Sequence, residues 1–67
     1  MSTYKIIELV GTSPTSFEEA IAQAVEDAAT SIRDLRIAEI TRLDVTIKDG
    51  KVEAYRTRLN VSFKYER

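Results

Sequence analysis

The dipeptide Asp49-Gly50, enclosed by Lys48 and Lys51, constrains this chain more than any other feature. Asp-Gly between two alternating apolar runs is the strongest short signal for a two-residue type I′ turn, which needs positive φ at both central positions. The register of the flanking strands follows from the turn. With Lys48 opposite Lys51, Val45 is expected opposite Ala54, Leu43 opposite Arg56, Thr41 opposite Arg58, Glu39 opposite Asn60 and Ile37 opposite Ser62. The other face then carries Asp44 opposite Tyr55, Ile40 opposite Leu59, Ala38 opposite Val61 and Arg36 near Phe63. Ala38, Ile40, Leu59, Val61 and Phe63 make an apolar side, and Glu39, Thr41, Arg56, Arg58 and Asn60 make a polar one.

The segments that can cover the apolar side lie upstream. Tyr4 to Val10 is β-branched, aromatic or aliphatic apart from Lys5 and Glu8, which predicts a strand of about seven residues. The cluster Gly11-Thr12-Ser13-Pro14-Thr15-Ser16 is expected to end it as a turn. A helix starts next, because Thr15 with Glu18, or Ser16 with Glu19, fits a capping box. Phe17, Ala20, Ile21, Ala24, Val25, Ala28 and Ile32 recur at helical spacing and form one buried stripe over about seventeen residues. Its alanines put little bulk between the helix axis and its partner, so the helix should lie close against a sheet. The expected class is α+β, in the order strand, helix, long strand, long strand, forming a single domain over residues 1–67.

Such a domain cannot finish its own core. A chain of 67 residues buries only about 60% of its unfolded surface and usually needs disulfides, a structural metal or oligomerisation to supplement it. There is no Cys and no His, which removes disulfides, thiolate or imidazole zinc sites and the commonest general base. Hairpin strands of roughly twelve to fifteen residues, rising ~3.3 Å per residue, also outrun a helix that rises ~1.5 Å per residue. Part of the sheet is left bare, and burial against copies of the same chain is the expected remedy. A net charge of −1 supplies no basic footprint for nucleic acid. No signal pattern and no apolar run of about 18 residues is present, so the expectation is a cytoplasmic chain with no membrane partner.

The residues exclude most catalytic chemistries. Nucleophilic triads and zinc-activated water lack their ligands and bases. Asp27, Asp34, Asp44 and Asp49 could contribute to an oxygen-rich Ca²⁺ or Mg²⁺ site, yet no dense acidic loop exists. Gly11-Thr12-Ser13 before a helix could cradle phosphate but has no P-loop lysine, and a turn plus a cap explains it. The polar sheet face admits two readings. It is either a water-facing surface on which Glu39 attracts Arg58, or the lining of a cavity or subunit interface in which guanidinium groups stack on planar ligands or grip carboxylate and phosphate.

The stretches Tyr4-Lys5-Ile6-Ile7-Glu8-Leu9-Val10-Gly11-Thr12-Ser13, the Ala-rich helix from Phe17 to Ala29, Ala38-Glu39-Ile40, Tyr55-Arg56-Thr57 and Val61-Ser62-Phe63 resemble the dodecin family. The resemblance implies a β-α-β-β subunit whose sheet partly wraps its helix, with twelve copies forming a hollow shell of four trimers. It also implies a non-enzymatic role in binding flavins such as riboflavin or FMN for storage and photoprotection. Typical flavin-binding members have a tryptophan early in the second strand that stacks on the ring, and a glutamine in the third strand that bonds its edge. Here the corresponding positions are Ile37 and Arg56. Losing the stacking surface, worth about 1–3 kcal/mol, should weaken flavin binding tenfold to a hundredfold, on the order set by that energy. The chain is closer to a tryptophan-lacking branch of the family associated with calcium.

Three functions therefore follow. Ile37 and Arg56 line a pocket for a weakly held planar ligand, with Glu39, Thr41, Arg58 and Asn60 lining it or a subunit interface. Carboxylates such as Glu39 or Asp44, repeated by symmetry, hold a divalent cation. Or the shell is a scaffold in which Arg56 pairs with a neighbour's Glu39.

Overall fold

The computed structural model describes residues 1–65 and runs β1 (Tyr4–Ser13), α1 (Phe17–Ala29), β2 (Leu35–Lys48) and β3 (Lys51–Lys64). The fold is α+β, with one three-stranded antiparallel sheet in the order β1-β3-β2. Asp49 (φ 54°) and Gly50 (φ 74°) both adopt positive φ, and Lys48 pairs with Lys51, as a type I′ turn requires.

Two elements differ from the expected lengths. β1 continues three residues into the predicted turn, since Gly11, Thr12 and Ser13 pair with Thr57, Arg56 and Tyr55. The long β3 offers a free hydrogen-bonding edge there, and only Pro14 ends the pairing. α1 has 13 residues, shorter than the stripe suggested. Thr30 caps it by donating its hydroxyl to the Asp27 carbonyl at 2.7 Å, and Ile32 lies beyond the last turn.

The N-terminal cap forms in part as expected. Ser16 is the N-cap and its hydroxyl accepts from the Glu19 amide at 3.0 Å. The Glu19 carboxylate does not return to Ser16. It accepts instead from Ser13 Oγ at 3.1 Å and Thr15 Oγ1 at 2.7 Å, tying the end of β1 to the first helical turn. Glu18 and Glu19 also place negative charge at the positive end of the helix dipole.

The core is small and one-sided. Ala20, Ala24, Leu59 and Val61 are buried, with Ile7, Leu9, Val25 and Leu35 packed around them. α1 rests chiefly on β1 and β3 and barely reaches β2. Ala38 and Ile40, expected to receive the helix, therefore stay exposed on the helix side of the sheet, Ile40 at 38%. Thirteen helical residues span about 20 Å, whereas each 14-residue hairpin strand spans roughly 46 Å. The molecule extends over 50 × 20 × 14 Å, and beyond Ser13 the hairpin continues as a two-stranded ribbon. Phe17 marks the end of the helix cover, meeting Tyr55 edge-on with ring centroids 5.1 Å apart.

The register is straight only in parts. Ile37–Ser62, Ala38–Val61, Glu39–Asn60 and Ile40–Leu59 pair as expected. Between Ile40 and Arg42, however, Thr41 is an extra residue in β2, so Arg42 opposes Arg58, Leu43 opposes Thr57, Asp44 opposes Arg56 and Val45 opposes Tyr55. Two more irregularities, at Arg36 in β2 and Glu53 in β3, complete the offset. The expected pairs Thr41–Arg58, Leu43–Arg56, Val45–Ala54 and Asp44–Tyr55 are corrected accordingly. The physical reason is the apolar pattern. Ala38 and Ile40 are two residues apart, but Ile40 and Leu43 are three apart, so a bulge is needed to keep Leu43 and Val45 on the helix side.

Close helix–sheet contact depends on Gly11. A methyl group built there would run into the Ala20 carbonyl oxygen and come within 3.0 Å of Ala24 Cβ. Backbone on one side and a buried alanine on the other cannot yield cheaply. Gly11→Ala should therefore cost about 2–3 kcal/mol of stability, measured by denaturant unfolding at matched protein concentration; an unchanged midpoint would contradict this packing.

Candidate functional site

The face of the sheet turned away from α1 has no cover of its own and gathers most of the polar side chains. Strand alternation and the register place them in rows across β1, β3 and β2. Ile6, Ser62 and Ile37 make the first row. Glu8, Asn60 and Glu39 make the next, followed by Val10, Arg58 and Arg42, and then by Thr12, Arg56 and Asp44. The face is thus banded as apolar, acidic and basic.

In the apolar row, Ile37 is 66% and Ile6 65% exposed. With Glu39, Asn60 and Ser62 they line a shallow depression of about 430 Å³. Ser62 Oγ donates to the Ile37 carbonyl at 3.5 Å. Arg56 lies three rows away, six residues along β3, or about 20 Å. The two positions drawn from the family resemblance therefore do not meet within one chain.

The basic rows contain the one ion pair among the described residues. Arg56 Nε donates to Asp44 Oδ1 at 2.7 Å and Arg56 Nη2 donates to Oδ2 at 3.1 Å, a two-pronged fork. The hydrogen bonds from Arg56 hold the Asp44 carboxyl below its ordinary range; desolvation, the next largest effect, opposes them, and the charges of Arg56, Arg58 and Arg42 add to the lowering. The same hydrogen bond pushes the Arg56 guanidinium above its usual value. Both side chains remain about two-fifths exposed, so water and salt screen the pair. Its value is geometric: it fixes where the Arg56 fork points.

Of the predicted polar set, Glu39, Asn60, Arg58 and Arg56 share this face. Thr41 sits at the bulge, outside the ladder, and its Oγ1 donates to the Arg58 carbonyl at 3.1 Å. Within the chain, Arg56 is paired with Asp44. Sequence reasoning missed Arg42 and Glu8 and put Asp44 on the wrong face. The three-residue step from Ile40 to Leu43 was the available signal. No group of three or more acidic side chains converges on a metal-sized point among the described residues. No helix of the described residues is long and apolar enough to cross a membrane.

These features define a small α+β domain with a short helix, an over-long hairpin and an open, banded sheet face. The Dodecin family profile matches residues 3–66, so the chain belongs to the dodecin family. It is 45% identical over 64 residues to calcium dodecin of Mycobacterium tuberculosis, covering 96% of this chain and 90% of that protein. The crystal structure of that relative, described as calcium-chelating with a novel calcium-binding site, superposes with a TM-score of 0.86 over 97% and 93% of the two chains. Dodecin from Streptomyces coelicolor is 35% identical, with a TM-score of 0.95 over 98% and 94% of the chains. A tryptophan-to-phenylalanine variant of Thermus thermophilus dodecin is 36% identical, with a TM-score of 0.93 and full coverage of both chains. The Thermus protein thus has a tryptophan to replace, whereas this chain has none.

The lowered Asp44 pKa predicts a pH dependence. Its folded value lies below the unfolded value of about 3.9, so the pair contributes in full above that pH and is lost as pH falls through the folded value. Asp44→Asn should melt lower than wild type at pH 7, and the gap should close in acid; a gap that stays constant to below pH ~3, well under that carboxylate value, would oppose the assignment.

Proposed function

We propose that the chain is the subunit of a hollow, non-enzymatic dodecin shell that binds divalent cations, calcium in particular, and holds flavin weakly or not at all. The observation that carries this reading is the Asp44–Arg56 fork. The position at which the family resemblance calls for a glutamine, able both to donate to and accept from a flavin edge, is an arginine already committed to a carboxylate. Ile37, at the stacking position, offers no aromatic plane.

Self-assembly is supported by exposed apolar groups on both sides of the sheet. Tyr4, Ile6, Val10 and Ile37 lie on the open face, and Ile40 and Leu43 lie on the helix side. Twelve copies in four trimers are the arrangement that the family resemblance implies. For the cation, the 45% identity to a protein named calcium dodecin is the supporting comparison. Glu8 and Glu39 flank Asn60 in one row, presenting hard oxygen donors of the kind calcium takes. Two carboxylates and an amide are too few for the six to eight oxygens calcium prefers, so neighbouring copies complete the shell. Asp44, the other carboxylate considered from sequence, is occupied by Arg56.

Calcium should raise the melting temperature reversibly, chelator should undo the shift, and Glu39→Gln should reduce it. A hundredfold excess over Kd corresponds to about 2.7 kcal/mol. No shift in the intact assembly would reject the cation reading. Fluorescence titration should find FMN bound weakly or not at all, and Ile37→Trp combined with Arg56→Gln should strengthen binding at least tenfold, a gain of about 1.4 kcal/mol. An unchanged titration would reject the placement of the pocket.

A further inference from the structure

Arg42 and Arg58 stand directly opposite each other across β2 and β3. Side chains in that relation have Cβ atoms about 5 Å apart, and like charges so placed repel. Neither guanidinium makes an ion pair or a side-chain hydrogen bond among the described residues. The carboxylate nearest in the register, Asp44, is taken by Arg56 one row away. Glu8 and Glu39 flank Asn60 in the row on the other side, and neither lies within ion-pair distance of the two arginines. Arg42, Arg56 and Arg58 against Asp44 leave this part of the face two positive charges in excess.

The juxtaposition is made by the Thr41 bulge. In an unbroken register Thr41 would oppose Arg58, and Arg42 would turn to the helix side. The extra residue re-aims Arg42 onto the open face, and the Thr41 hydroxyl anchors the bulge on the Arg58 carbonyl. Val10, 50% exposed beside Arg58, gives the aliphatic part of that side chain an apolar neighbour while its head stays polar. Two planar forks side by side match an oxyanion with several acceptor oxygens, such as a phosphate group.

We propose that Arg42 and Arg58 form an anion site on the open sheet face that takes a phosphate-bearing small molecule. The site is separate from the cation reading and does not depend on it. It also differs from the pair of positions taken from the resemblance, because Arg56 is neutralised by Asp44 and contributes only if released.

Inorganic pyrophosphate is the probe, titrated calorimetrically into the assembled protein in calcium-free buffer with ionic strength held constant by chloride. Wild type should bind saturably. Arg42→Gln with Arg58→Gln should weaken binding at least tenfold while melting no lower than wild type, since a repulsion is removed. Arg42→Lys, which keeps the charge and loses the fork, should fall between the two. Lys51→Gln, at the hairpin turn, should bind as wild type. Asp44→Asn should bind more tightly, because it frees Arg56 and removes a negative charge. Absence of saturable binding, equal affinity in the double glutamine variant, or weaker binding in Asp44→Asn would each overturn the proposal.

Discussion

The contact of α1 with β1 through Gly11, Ala20 and Ala24 decides the shape of everything else. Where backbone and small side chains meet with no intervening bulk, the helix is drawn down onto β1 and the neighbouring β3. It cannot at the same time spread across β2. The core is therefore short, centred on Leu59 and Val61, and the second strand, apart from Leu35 and the half-buried Val45, keeps large apolar groups exposed on both faces. Close packing at one edge and exposure at the other are two results of the same choice of small residues. Thr57 lies enclosed in this layer with its hydroxyl unpartnered among the described residues.

The open face follows from a second constraint, the mismatch between the apolar pattern of β2 and the two-residue period of a strand. A single inserted residue at Thr41 restores the pattern on the helix side. The same insertion puts Arg42 and Asp44 on the open face, opposite Arg58 and Arg56. The charge distribution of the face is thus a consequence of how the core side is satisfied. Asp44 selects Arg56 among the three arginines because it stands directly across from it, and the other two have no ion-pair partner among the described residues.

These two constraints shape the surfaces that the chain leaves open. A sheet with apolar exposure on both faces supports association with further copies, and the bands of opposite charge would then be repeated wherever copies meet. On the proposed reading, the absence of tryptophan and the commitment of Arg56 to Asp44 both move the open face away from flat aromatic ligands. What remains, on that reading, serves ions: carboxylates around Asn60 and guanidinium groups around Arg58.

Much of the fold was legible in the residues. Asp49-Gly50 specified the turn and the end of the hairpin register, Ser16 and Glu19 marked the start of the helix, and the missing Cys and His together with the strand lengths made an unfinished core unavoidable. These are local properties of backbone geometry, hydrogen-bonding side chains and chain length, and they do not need to know what packs against them. The reach of β1 to Ser13, the helix's preference for β1 and β3, the bulge at Thr41 and therefore the partner of Arg56 were decided only in the tertiary structure. An extra residue in a strand has no strong local signature. Its position is selected by which register lets Leu43 and Val45 stay on the helix side, and that comparison exists only once the sheet and helix are assembled.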